Sequence, residues 1–195
     1  MTPQPNPPDP DPAPSARTRN AAATREAILQ SALVAFTQHG YNGVGVREIA
    51  RAAGVTAMLV NRYFGSKEQL FAEVVDVVFS GSTLITDDLP SLGRFAARGL
   101  VASEPRSVDG FVLMLRSIAD PRATEILRRA IDERQRQLEA MLSGAHAHER
   151  AALFLALLLG IRAMQHMLAS PTLAGAGEVV TDHLEALFDV LVERR

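Results

Sequence analysis

The chain has 195 residues, 47% of them hydrophobic and only 5% aromatic, with a formal net charge of −2. That length holds one medium domain, or a small domain joined to a larger one, and a composition rich in alanine, leucine and arginine favours helix. Cysteine is absent, which excludes disulfides, thiolate metal sites and cysteine nucleophiles and fits a reducing cytoplasm.

Residues 1–16 carry seven prolines and almost no apolar side chains. Such a segment buries too little surface to offset its ordering entropy, so a disordered Pro-rich tail is expected over 1–18. It has no apolar central run and so does not read as a signal peptide. Arg17, Arg19 and Arg25 follow. A basic arm there suits phosphates or a minor groove, and a solvated tail accounts for it equally well. The first helix is expected from about Thr24 to His39, with Ile28, Leu29, Ala32, Leu33 and Phe36 on one stripe and Gly40 ending it.

The stretch Val46–Phe71 organises the rest. Ile49, Ala50 and Ala53 share one helical face. Gly54 suits the left-handed end of that helix, and Thr56 can cap the next one through its side-chain oxygen. Val55, Val60 and Tyr63 close a small core beneath, which makes a helix-turn-helix. On the second helix Ala57, Met58, Asn61 and Arg62 then face out, with Leu59 at the margin. Asn pairs with an adenine edge and Arg grips guanine with its fork, while Met58 and Ala57 suit a thymine methyl. The bland alternative for Asn61 and Arg62 is a solvated helix surface. Ser66 and Gln69 form a capping box at the start of a fourth helix, which runs through Leu70, Val74 and Val78 to about Phe79.

Several spacings here hold together: Arg25-Glu-Ala-Ile-Leu, Ala32, Phe36, Gly40-Tyr41, Val46-Arg-Glu-Ile-Ala, Ala53-Gly-Val-Thr, and Arg62-Tyr-Phe-Gly-Ser-Lys-Glu-Gln-Leu-Phe. Over roughly residues 21–75 the chain resembles the DNA-binding domain of the tetracycline-repressor (TetR) family of bacterial regulators. It departs from the family at Gly45, where a threonine or serine often caps the helix, and at Met58, where glycine is frequent. Asn61 stands where a phosphate-touching tyrosine is common. The resemblance implies a candidate DNA-contacting set of Arg47, Thr56, Ala57, Met58, Asn61, Arg62, Tyr63 and Lys67. Lys67, the sole lysine of the chain, stands where the family places a phosphate-contacting lysine, and an exposed residue in a capping turn is the alternative.

Charge supports a reading head. Residues 17–67 hold seven cations against two acids, whereas from Glu68 onward 13 arginines face 18 acids. A basic head on an acidic body confines any nucleic-acid surface to the head.

Beyond a loop over Gly81–Pro90, a short fifth helix is expected over Ser91–Ala102. Pro105 can open a sixth that carries Phe111, Val112, Leu115 and Ile118. Asp120 and Pro121 suit the cap and first position of a seventh, with Leu127, Ile131, Leu138 and Leu142 on its buried side and Gly144 at its end. Glu125–Arg129 and Asp132–Arg136 have the spacing of surface ion pairs. The eighth helix, about Ala147–Ala169, contains the unbroken apolar run Ala151–Ile161, too short for a bilayer, which needs ~20 residues. A helix apolar all round needs cover all round. After a loop over Pro171–Gly177, a ninth helix places Val180, Leu184, Leu187 and Leu191 on one stripe, with Val179 and Phe188 widening it.

The eighth and ninth helices are therefore expected to join two copies in a four-helix bundle, with Leu153, Leu157, Ile161, Val180, Leu184, Leu187 and Leu191 at the interface. Two heads about a two-fold axis would read a palindromic operator in double-stranded DNA. A small hydrophobic ligand is expected among Met114, Arg116, Met164, Gln165 and His166, with core filler and solvent-facing polar groups as the alternative.

The fold class is all-α, with about nine helices. A three-helix helix-turn-helix domain over 19–66 is followed by a helical ligand-binding and dimerisation domain over 67–195. The function read from this is a ligand-responsive DNA-binding transcriptional regulator of the cytoplasm, a dimeric repressor released by a small hydrophobic molecule, with no enzymatic activity, cofactor, metal or membrane partner. No motif supports catalysis. His146 and His148 near Glu149 do not match a helical metalloprotease pattern. The rival readings are a helical dimer with a metal-dependent or enzymatic site at His146, His148 or His166, an interaction protein using the fold for assembly, and a regulator without a small-molecule ligand.

Overall fold

The computed structural model describes residues 14–80, 88–101, 110–174 and 177–192. Among them are ten α-helices, one 3-10 turn and no strand: α1 Pro14–His39, α2 Val46–Ala52, α3 Ala57–Phe64, α4 Lys67–Ser80, the 3-10 turn Leu89–Ser91, α5 Leu92–Val101, α6 Gly110–Ser117, α7 Pro121–Met141, α8 Ala147–His166, α9 Pro171–Ala174 and α10 Glu178–Val192. The all-α expectation holds.

Several boundaries differ. Helix α1 begins at Pro14, ten residues before the expected Thr24. Proline suits a first turn, and the Ala-rich stretch after it has high helix propensity, so residues 14–18 are helical rather than disordered. Residues 1–13 and Pro105 lie outside the described residues. Helix α8 stops at His166, and Pro171–Ala174 is a helical turn where a loop was expected. The last long helix is therefore α10.

Two apolar cores organise the chain. The first takes Ile28, Leu29, Ala32, Leu33 and Phe36 from α1, Ile49 and Ala50 from α2, Val60 and Phe64 from α3, and Leu70, Phe71, Val74 and Val75 from α4. Leu113 from α6 and Ala123 and Leu127 from α7 complete it. At its centre Phe71 meets Phe36 and Tyr41 edge-on, each with ring centroids 5.1 Å apart. The second core joins Leu92, Ala96, Ala97 and Leu100 of α5 to Leu138 and Leu142, to Ala151, Phe154, Leu158 and Ile161 of α8, and to Leu184, Phe188 and Val192 of α10. Gly93 lets α5 approach α10 closely, because a Cβ there would meet the Asp189 carboxylate.

Helix α7 is thus a strut that enters the first core at one end and the second at the other. Its start is fixed by Asp120, whose Oδ1 accepts from the N–H groups of Arg122 and Ala123 at 2.9 and 3.1 Å. Two donors that lack an intrahelical partner are satisfied this way. On its surface Glu125 pairs with Arg129 as expected. Asp132 pairs instead with Arg128, and Arg136 with Glu133, because Arg128 reaches both Glu125 and Asp132.

Candidate nucleic-acid interface

The helix-turn-helix forms from local chemistry that can be followed atom by atom. Gly45 has no side chain with which to cap α2, yet its N–H donates to Glu48 Oε2 at 2.7 Å, so the carboxylate half of a capping box survives without the hydroxyl half. Gly54 takes φ +68° after α2. Thr56 Oγ1 accepts from the Leu59 N–H at 3.4 Å and starts α3. Val60 and Phe64 are buried, and Ala57, Val55 and Tyr63 pack beside the core.

What α3 leaves outside is then fixed. Met58, Asn61 and Arg62 are exposed, and Met58 at 78% has no role in the packing beneath. Arg47 and Thr56 are exposed at the starts of α2 and α3. Tyr63 is half-buried and packs against the core.

Lys67 opens α4. Its Nζ lies 4.3 Å from the Tyr41 ring centroid, and burial pushes its ammonium below the usual lysine value. A cation over an aromatic face at a helix N-terminus is oriented, and the carboxylates of Asp120, Glu68 and Glu48 act on it from nearby. The Ser66 hydroxyl accepts from the Gln69 N–H at 3.2 Å and sets where α4 begins.

Arg25 is not a free arm. Its guanidinium pairs with Glu73 and lies 4.7 Å from the Phe64 ring centroid, which ties α1 to the end of α3 and to α4.

Behind this surface the C-terminal helices grip the head. Arg116 of α6 donates to the carbonyl oxygens of Thr37 and Gln38 at 2.8 and 2.7 Å. The Tyr41 N–H donates to the buried Ser117 hydroxyl at 3.1 Å. Gly40 between them has φ +69°, and a Cβ there would strike the Arg116 carbonyl. The Tyr41 hydroxyl donates to Glu68 at 3.0 Å, and Arg122 of α7 reaches the same carboxylate at 3.0 Å. The backbone N–H of Glu68 itself, then the Ser66 and Tyr41 hydroxyls, hold the Glu68 carboxyl down at about 2. Burial, then donation to Glu68, pushes the Tyr41 hydroxyl up to about 12.

The expected ligand set does not converge. Arg116 is engaged by the α1 carbonyls, which corrects its assignment to a pocket. Met114 packs against the first core. Gln165 donates to the Leu100 and Leu173 carbonyls at 2.9 and 3.0 Å, Met164 is exposed, and His166 stacks on Phe111 with centroids 5.8 Å apart.

The interface set also divides. Ile161 and Leu184 are buried in the chain's own second core, which corrects their assignment. Leu157, Val180 and Leu191 are partly buried against that core, and Leu153 and Leu187 are exposed at 56% and 53%. His148 bonds Glu139 at 3.0 Å, and no group of three metal-ligating side chains occurs among the described residues.

A family model described as bacterial regulatory proteins of the tetR family matches residues 28–74, and a tetracyclin repressor-like C-terminal domain matches 91–191. The HTH-type transcriptional repressor Rv3405c of Mycobacterium tuberculosis is 31% identical, with 86% of each chain covered. The chain belongs to the TetR family. The HTH-type regulator BetI of Agrobacterium fabrum is 45% identical over 51 residues, 26% of this chain and 25% of that one. A TetR-family structure from Rhodococcus sp. superposes with a TM-score of 0.70 at 18% identity, over 88% of this chain and all of that one. NalD of Pseudomonas aeruginosa does so at 0.64 and 24% identity, over 89% and 98%. As a TetR-family member the chain is a DNA-binding transcriptional regulator and not an enzyme.

Proposed function

We propose that the chain is a homodimeric repressor that binds a palindromic operator and is released by a small hydrophobic molecule. The observation that carries the DNA contact is the outer face of α3, where Met58, Asn61 and Arg62 stand together in solvent on the basic half of the chain. Arg47, Thr56 and Lys67 flank that face and serve the phosphates, while Ala57 packs against the core at the start of α3.

The dimer is supported by two apolar stripes. On α8, Leu153, Ala156, Gly160 and Met164 are exposed; on α10, Val179, Ala186, Leu187 and Val190 are. A second copy covering both would form a four-helix bundle and set two heads about a two-fold axis. That symmetry makes the operator an inverted repeat, with half-sites about 34–36 Å apart or a multiple of it. The place of action is the cytoplasm, where the DNA is. No helix among the described residues is long and apolar enough to cross a membrane.

Release runs through α6. This helix holds the end of α1 through Arg116 and meets α8 through Phe111 and His166. A molecule that wedges between α6 and α8, where Phe111 stacks on His166, shifts α6 and loosens that hold. It acts only through its differential affinity for the two arrangements. A choline complex of a structural neighbour from Saccharomonospora viridis (18% identical, TM-score 0.59) supports a small-ligand site in this fold.

Selection of bound fragments from the genome with purified protein tests the reading. Enrichment of one inverted repeat is expected. Absence of any enriched sequence, or enrichment of an unpaired half-site bound by a monomer, would overturn it.

A further inference from the structure

The carboxylates of Asp120, Glu68 and Glu48 all act on the Lys67 ammonium. Lys67 forms an ion pair with none of the three, and its Nζ lies instead over the Tyr41 ring. Each carboxylate is engaged elsewhere. Glu48 accepts from the Gly45 N–H at 2.7 Å, and Asp120 from the N–H groups of Arg122 and Ala123. Those are backbone bonds inside single capping turns. Glu68 differs. Its Oε1 accepts from the Tyr41 hydroxyl and from Arg122 Nη1, both at 3.0 Å. The tips of Lys67 and Glu68 therefore meet on Tyr41, one over the ring and one on the hydroxyl. Of the two side chains that hold Oε1 there, Arg122 makes the stronger bond, because charge-assisted hydrogen bonds are roughly twice as strong as neutral ones. Arg122 also comes from α7, the helix that runs on into the second core.

We propose that Arg122 is a positioning residue for DNA binding: by holding the Glu68 carboxylate on Tyr41 it keeps that charge off Lys67 and leaves the ammonium for a phosphate. When the start of α7 moves away, Glu68 turns to Lys67 and cancels it. The second core thus reaches the DNA contact through α7, a route separate from the hold of α6 on α1. The inference rests on the phosphate role of Lys67 and adds what controls it.

The test uses the full chain. Lys67 is its only lysine, so protein grown on isotope-labelled lysine gives one lysine signal by NMR. The Tyr41 ring current places that signal upfield of free lysine. The Arg122 side chain is 74% exposed, so Arg122→Ala leaves both cores intact. It should move the lysine signal toward the free value and weaken binding to operator and scrambled DNA alike, by about twofold or more. Arg122→Lys, which can still donate to Glu68, should recover part of both. Adding Glu68→Gln to Arg122→Ala should return signal and affinity toward wild type, because a neutral amide cannot cancel the ammonium. In a Lys67→Ala background, Arg122→Ala should have no further effect. The positioning role is overturned, with the phosphate role intact, if Lys67→Ala weakens binding but Arg122→Ala leaves the lysine signal in place or keeps its full effect with Lys67 removed. If Lys67→Ala binds all DNA as tightly as wild type, the phosphate role falls, and the inference falls with it.

Discussion

The guanidinium of Arg116 donates to the carbonyl oxygen of Thr37 at 2.8 Å and to that of Gln38 at 2.7 Å. The last carbonyls of a helix have no partner inside it. Here a side chain from the other half of the chain supplies one, so the end of α1 is completed by α6. Gly40 leaves room for this, since any side chain there would strike the Arg116 backbone. The head and the body are thus joined at a point where moving α6 exposes two acceptors.

Arg116→Ala should lower stability by about 1 kcal/mol, the scale of a partly exposed charged hydrogen bond. It should also speed amide exchange at Gly40 and Tyr41. Both bonds leave from one guanidinium nitrogen, Nη1, so Arg116→Lys, whose ammonium carries three donors, should recover part of the loss. Denaturant melts with exchange measured by NMR would check this, and an unchanged exchange rate would contradict it.

Gly40→Ala forces an alanine into φ +69° and sets its Cβ on the Arg116 carbonyl. The left-handed conformation alone costs about 1–2 kcal/mol. A fall in Tm larger than that of Gly54→Ala, where φ is +68° but the space around the Cβ is open, would isolate the contact with α6.

Glu68 gives a pH signature. Its carboxyl is held at about 2, below the ordinary glutamate value, by its own backbone N–H first and then by the Ser66 and Tyr41 hydroxyls. A lowered folded-state value means stability that is present above about 4.3 and lost as pH falls through about 2. The side chain is 37% exposed, so solvent screening reduces the contribution to about 1 kcal/mol. Glu68→Gln should therefore melt below wild type at pH 7, and the two curves should converge toward pH 2.

The helix-turn-helix was legible because its signals are local. Gly54, Thr56, and Ser66 with Gln69 each act within a few residues, and each does in the structure what its type dictates. Glu48 accepting from the Gly45 N–H was equally local and went unread. The onset of α1 was missed because Pro14 was counted with the tail rather than as a first-turn residue. Arg116 was misassigned for a different reason: its partners lie 78 and 79 positions away. No periodicity reports such a contact. Ile161 and Leu184 share the apolar stripes with Leu153 and Leu187, and a stripe wide enough to serve two neighbours does not say which residue faces which.

That division yields a paired test of the dimer. Leu187→Glu and Leu153→Glu place a charge on exposed positions and should give a folded monomer by light scattering, with an unchanged far-UV spectrum. Leu184→Glu buries an unpaired charge in the second core and should unfold that half outright. A dimer that survived both exposed substitutions would place the partner elsewhere.

The two cations at the head should be separable by salt. Arg62 is exposed on the face of α3 that carries Met58 and Asn61, where an arginine reads base edges. On the proposed reading Lys67, at the start of α4 over Tyr41, serves a phosphate. Arg62→Ala should weaken operator binding by about 1–3 kcal/mol and relax the preference at one guanine. Lys67→Ala should weaken all sequences alike and reduce the dependence of log K on log salt by about one per head. Neither change touches α8 or α10, so the oligomeric state should not move. Titrations at four salt concentrations with operator and scrambled DNA would distinguish the roles. If Lys67→Ala left the salt slope unchanged while altering base preference, the lysine would be a reader and the docking of α3 would be tilted from the one argued above.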